Sequence, residues 1–187
     1  SWKPRKDSYK KEIQQKKLWP FQGSNSEYSR LQKVILFNPP KNSIVIKNPE
    51  RVQHLRPIDW RLFKKETSSL KKILLKEKIQ VEYLEADAFP SPLPNLMFAR
   101  DHFFMTPWGA ILGRMASEVR AGEEKWAQWT LAKAGIPLLG NVRGQGTFEG
   151  ADALWLNPQL VLVGIGHRTN LEGLKQIKNI LKEFGVQ

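Results

Sequence analysis

The chain has 187 residues, 41% of them hydrophobic and seven of them Trp, which allows one sizeable packed domain or two small ones and excludes a disordered chain. It has no cysteine, so disulfides, thiolate metal sites and a cysteine nucleophile are excluded from these residues, and the redox compartment stays open. The net charge of +12 raises the question of a nucleic-acid or membrane partner.

Residues 1 to 30 are polar and basic, with "PFQGSNS" as a loop, and read as a frayed or peripheral arm. "LQKVILFNPP" is a short apolar strand stopped by Pro39 and Pro40, and "NSIVI" a second one. "IDWRLFKKETSSLKKILLKEKI" is helical, with Asp59 as N-cap and apolar residues at Leu62, Leu70, Ile73 and Leu74. "QVEYLEA" alternates as a strand, and the three prolines of "AFPSPLPN" impose an irregular connector. "LMFARDHFFMTPWGAILGRM" reads as two strands around a Thr-Pro-Trp-Gly turn, followed by a helix over "AGEEKWAQWTLAKAG" and a strand over "IPLLGNV". The order then returns. "FEGADALWL" and "LVLVGIG" form a hairpin, and "NLEGLKQIKNILKEFG" a helix capped by Asn170 and ended by Gly185. A further strand is expected after Gly185. The pattern is a strand, strand, helix, strand repeat with a period of roughly 45 to 50 residues, of the kind that stacks or closes in a ring.

Lys and Arg cluster in "KPRKDSYKKEIQQKK", "RLFKKETSSLKKILLKEK" and "LKQIKNILKE". The last two are the solvated faces of amphipathic helices, and no nucleic-acid module signature is present, so nucleic acid is disfavoured as a partner. No apolar run approaches the ~18 residues of a membrane span, and cytoplasmic residence is the default.

The acids carry the chemistry. Asp101 lies between "LMFA" and "FFM", and Glu149 and Asp152 flank the small Gly150 and Ala151 in "TFEGADALW". Carboxylates in such apolar settings need a cationic partner, and two of them clamp the forked donors of a guanidinium. The reading is that both stretches line one pocket for a cationic group. The blander alternative, which spacing alone favours, is an internal ion pair with Arg100 or Arg114. "GIGHRTN" sets Arg168 beside a helix start, where carboxylates or phosphates bind, or else Thr169 or Asn170 caps the helix and Arg168 pairs with Glu172. Of the histidines, His102 on a strand would point away from Asp101, and His54 and His167 show neither metal spacing nor a base-like setting. No metal and no cofactor is called for.

"PNLMFARD", "FEGAD" and "GHRTN", in that order and at those separations, resemble the arginine deiminase and amidinotransferase superfamily, the penteins. The resemblance runs from about Lys33 to the C-terminus. It implies a five-bladed α/β propeller of ββαβ units, of which about three fall in this chain: a basic arm over 1–30, then a partial propeller domain over 31–187, truncated before its last blades. It implies that Asp101 holds a substrate guanidinium and that Glu149 contacts both the guanidinium and a catalytic histidine. Asp152, the last acid of its motif, is implied as structural support beside the substrate. Asn95, Arg120 and Arg168 match the groups that grip the α-carboxylate in arginine-specific members. Ala99, His102 and Ala151 depart from the usual Thr, Pro and Gly. The family's catalytic His and nucleophilic Cys are implied to lie outside this chain. The implied reaction is attack of a Cys thiolate on the guanidinium carbon, giving a covalent amidino intermediate resolved by water or an amine. The implied partners are a guanidino small molecule such as arginine, and either self-association or a complementing C-terminal segment. The alternative is a non-catalytic pentein-fold binding or assembly module, possible for nucleic acid given the charge.

Overall fold

A computed structural model describes all residues except 22, 40–45 and 86–92, and the backbone alone of residue 85. The strand expected over "NSIVI" lies, apart from Ile46, outside the described residues, as does most of the proline-rich connector.

Three units of similar make-up follow one another. In the first, β1 (Lys33–Asn38) and β2 (Gln80–Glu85) pair in parallel, Lys33 opposite Gln80 through Asn38 opposite Glu85, and α2 (Trp60–Lys76) joins them. The expected cap is present: the Asp59 side chain accepts from the amides of Arg61 and Leu62. The buried face is not the one read from the leucines. Trp60 is buried and Phe63 half-buried against Phe37, while Leu62, Leu70 and Ile73 are exposed and only Leu74 is partly covered. Two aromatic rings bury more apolar area than the leucine stripe, and they set the helix's rotation.

In the second unit β3 (Phe103–Thr106) and β4 (Gly109–Leu112) form the expected hairpin, α3 (Glu124–Lys133) follows, and β5 (Leu138–Asn141) pairs parallel to β4. The turn is locked by the Thr106 hydroxyl, which donates to the Gly109 carbonyl and accepts from the Trp108 and Gly109 amides. This sheet is buried on both faces, which explains its unbroken apolar run. Phe103, Ala110 and Leu112 pack with Ala127, Leu131 and Ile136 under α3. Phe104 and Ile111 pack on the other side with Phe148, Trp155, Ile177 and Leu181 of the third unit.

The third unit is the hairpin β6 (Ala153–Asn157) and β7 (Leu160–Val163), then α4 (Leu171–Lys182), whose cap Asn170 accepts from the Gly173 amide. Val186 and Gln187 then run beside β7: the Val161 amide donates to the Gln187 carbonyl, and the Gln187 amide to the Gln159 carbonyl. The α/β character is that read from the sequence, and the full strand, strand, helix, strand order is present among the described residues in the second unit. The described residues form no closed barrel; their sheets are separate, with two, three and two strands.

Residues 1 to 30 are less frayed than their composition suggests. They hold a short helix, α1 (Tyr9–Gln15), capped by Ser8 and burying Ile13. The Tyr9 hydroxyl donates to the Leu138 carbonyl, and Glu27 accepts from the Trp155 amide. Ile13 and the Tyr9–Trp19 edge contact supply the apolar anchoring that a charge-based reading overlooks.

Candidate active site

The site is assembled from four short 3-10 turns and the loop of Arg168. Asp101 ends the second of two short 3-10 turns, Pro94–Met97 and Ala99–Asp101. The strand expected here does not form: Pro94 opens the first turn, and the Asp101 and His102 amides donate back to Phe98 and Ala99. Strand alternation therefore does not apply, and His102 does not point away from the cluster. Glu149 leaves the antiparallel bridge between Arg114 and Phe148 and precedes a third 3-10 turn, Gly150–Asp152. A Cβ on Gly150 would lie 2.2 Å from the Phe103 carbonyl oxygen and 2.8 Å from that of Arg100. Only glycine lets the turn carrying Glu149 press against the turn carrying Asp101.

The two acids converge, on a cation the protein supplies. Arg120, in the turn Glu118–Arg120, is buried, and its Nη1 donates to Asp101 Oδ2 at 2.7 Å and to Glu149 Oε2 at 3.4 Å. Its Nε and Nη2 both meet Glu123 Oε2, at 2.9 and 2.8 Å, and Nη2 lies 3.5 Å from His102 Nε2. The Nε edge of the fork is thus committed to Glu123 and the Nη1 corner to Asp101 and Glu149. The Phe98 ring covers the guanidinium at 5.6 Å. Arg168, with a side chain 62% exposed, donates through Nη1 to Glu149 Oε2 at 2.7 Å and lies 3.9 Å from Asp101 Oδ2. Arg100 and Arg114, the partners the sequence offered, instead donate to the carbonyls of Ala153 and Gly146. Arg168 does not pair with Glu172, which accepts from Gln176.

With His102 counted as neutral, three carboxylates (Asp101, Glu123, Glu149) thus face two guanidiniums (Arg120, Arg168), an excess of one negative charge. Asp101 Oδ1 and Glu149 Oε1 accept no hydrogen bond from any described residue, and neither is among the fully enclosed unpartnered atoms. Among the described residues, each acid therefore keeps one oxygen for a further donor. Burial works to lower the Arg120 pKa, but Glu123 and then Asp101 outweigh it and leave the pKa raised. Glu149 raises that of Arg168. A raised arginine pKa contributes stability below its unfolded value and loses it only at higher pH, so both stay charged through the neutral range.

Asp152 Oδ2 accepts from the Thr169 hydroxyl at 2.5 Å, and that oxygen accepts from the Glu149 amide at 3.2 Å. Thr169 ties the turn of Glu149 to the loop of Arg168. Asn95 is buried but shares no hydrogen bond with the cluster among the described residues: its Oδ1 accepts from His54 Nε2 at 2.6 Å and its Nδ2 donates to the Val52 carbonyl. Sequence reasoning missed Glu123, and it offered Thr169 only as a helix cap, a place taken by Asn170. Glu123 reads as a solvated first-turn acid, and the one available signal was its position three residues after Arg120. Two open grooves, of about 760 Å³ between β5 and α4 and about 390 Å³ beside Arg114 and Lys125, are lined by neither Asp101 nor Glu149.

The arginine deiminase family model matches residues 39–185. The chain belongs to the arginine deiminase family. The pentein resemblance carried by the three motifs is thereby borne out. The arginine deiminase of Borrelia recurrentis is 29% identical over 97 residues, covering 49% of this chain and 24% of that protein. The uncharacterized protein YkgA of Bacillus subtilis is 28% identical over 163 residues, 86% of this chain and 55% of that one. Among solved structures, a dimethylarginine dimethylaminohydrolase mutant from Pseudomonas aeruginosa complexed with citrulline superposes with TM-score 0.67 at 22% identity, covering 84% of this chain and 59% of that one. The product-bound N-terminal domain of ArgZ, a cyanobacterial arginine dihydrolase, gives 0.65 at 20%, covering 82% and 55%. These structures share the arginine deiminase family member's α/β fold.

The cluster's energetics are testable. Arg120→Met leaves Glu123 buried without its guanidinium partner and Glu149 held by Arg168 alone, and is expected to destabilise by about 3–5 kcal/mol. Arg168→Ala, on an exposed side chain, is expected to change stability by no more than about 1 kcal/mol. Urea unfolding followed by tryptophan fluorescence measures both.

Proposed function

We propose that this chain is the substrate-binding portion of a guanidino-modifying enzyme, a hydrolase of the arginine deiminase kind. The observation that carries the reading is the convergence of Asp101 and Glu149 on one point, each with an oxygen left free and with negative charge in excess. An incoming guanidinium would donate to Asp101 Oδ1 and Glu149 Oε1, two acceptors suited to its planar fork. Arg168, exposed and raised in pKa, takes the ligand's carboxylate. Asp152 supports Glu149 through Thr169. Arg120 and Asn95, matched by motif to groups that grip a substrate carboxylate, have their side chains committed to protein partners, and in this reading they position neighbours instead. A similar structure is complexed with citrulline, in which a ureido group stands in place of the guanidino group of arginine.

The chemistry is completed by a Cys and a His that lie outside this chain. The thiolate attacks the guanidinium carbon, an amine leaves with a proton from the His, and water then releases the thiolate. Asp101 and Glu149 fix the plane of the guanidinium, so that its carbon is presented to the nucleophile in one orientation. Transfer to an amine in place of water would use the same two acids; the family match favours hydrolysis. Cytoplasmic residence belongs to the same proposal, and no helix among the described residues is long and apolar enough to cross a membrane.

Titration calorimetry of the protein with L-arginine is expected to detect binding. Asp101→Ala and Glu149→Ala should each weaken it at least tenfold, about 1.4 kcal/mol. Affinity unchanged by either substitution would remove the reading.

The three units are proposed as three of the five blades of a pentein propeller. Strand alternation leaves Leu154, Leu156, Leu160 and Leu162 exposed on one face of the β6–β7 hairpin. Such a contiguous apolar face is covered in a working protein, by a complementing segment or by a second copy. Sedimentation velocity of the chain alone should show self-association that Leu154→Glu with Leu162→Glu abolishes; a monodisperse monomer would contradict it.

A further inference from the structure

We propose that Glu123 is the positioning residue of the guanidinium site: it holds Arg120 to one side, so that Asp101 and Glu149 keep an oxygen each for a ligand. This rests on the reading of those two acids given above. Glu123 is fully buried, immediately before α3. Its Oε2 receives both donors on one edge of the Arg120 fork, Nε at 2.9 Å and Nη2 at 2.8 Å. That edge contact fixes the plane of the guanidinium and leaves only the Nη1 corner to reach the two acids.

The support of Glu123 is itself built in. His102 Nε2 lies 2.8 Å from the same Oε2, with His102 fully buried. The tether is short: the Glu123 amide donates to the Arg120 carbonyl. The next residue pins the segment from both ends, because Glu124 accepts from the Met115 amide through Oε1 and from the Gly122 amide through Oε2. The cluster is not arranged for full hydrogen bonding. Glu123 Oε1 and His102 Nδ1 are buried with no partner among the described residues. Networks kept for stability are normally satisfied, and an unsatisfied one points to a role in arrangement.

The consequence concerns competition. Arg120 carries the same head group as the proposed ligand and already touches both acids. Freed from Glu123, its fork would rotate onto Asp101 and Glu149 and occupy the oxygens a ligand needs. Glu123 thus keeps an internal guanidinium from filling the site for an external one. Motif matching points to Asp101 and Glu149 and passes over Glu123.

The test combines nitrogen-15 NMR of the arginine Nε–H groups with L-arginine titration, in the wild type and in Glu123→Gln, which removes the charge at nearly constant shape. In the wild type the Arg120 Nε–H is expected to exchange with solvent at least tenfold more slowly than that of exposed Arg143. In Glu123→Gln that protection should fall tenfold or more and L-arginine affinity should drop at least tenfold. Fast exchange at Arg120 in the wild type overturns the proposal, and this measurement stands even if the variant does not fold. Unchanged protection and affinity in a folded Glu123→Gln also overturn it. Loss of protection in Glu123→Gln when the wild type itself binds no L-arginine upholds the link between Glu123 and Arg120 and rejects the guanidinium-site reading instead.

Discussion

A group of carboxylates cannot sit together inside a protein unless a cation holds them. Here Asp101, Glu123 and Glu149, from three separate segments, are held by the guanidinium of Arg120, and the rest of the site is arranged around that contact. Arg120 stays charged because the acids outweigh its burial, and its charge in turn lets them remain close. The arrangement leaves one negative charge in excess. That surplus, together with one oxygen on each of Asp101 and Glu149 that no described residue occupies, distinguishes the cluster from a self-satisfied ion pair.

The fold delivers these acids through close backbone contact. The hairpin β3–β4 is buried on both faces and acts as the rigid centre against which the other units pack. The Arg114–Phe148 bridge ties its exit to the segment that carries Glu149. Gly150 then allows that segment to lie on the carbonyls of Arg100 and Phe103, next to Asp101. Thr169 draws in the loop of Arg168 from the other side. Packing over the whole central unit thus fixes the separation of two side-chain groups.

Much of this was legible in the sequence where a residue's role is local. The caps of Asp59 and Asn170, the Thr106–Gly109 turn and the hairpin of the third unit follow from turn and capping chemistry that acts within a few residues. What was not legible depends on tertiary partners. The rotation of α2 was misjudged because Trp60 and Phe63 find Phe37, a contact no periodicity reveals. The strand expected before Asp101 gives way to turns opened by Pro94, which also reverses the expectation for His102. The convergence of Asp101 and Glu149 on a guanidinium was anticipated, but the internal partners offered as the alternative to a ligand were Arg100 or Arg114. Choosing between arginines requires knowing which loops meet. Glu123 was invisible for the same reason, since the first turn of a helix is where a solvated acid also belongs.

The central claim is that Asp101 and Glu149 act on one ligand guanidinium together. A double-mutant cycle with Asp101→Asn and Glu149→Gln, read as L-arginine affinity, addresses that claim most directly. The account predicts coupling of about 1 kcal/mol or more between the two positions, because both contact the same delocalised charge. Effects that add, within about 0.5 kcal/mol, would mean that the two acids serve separate partners and would contradict it.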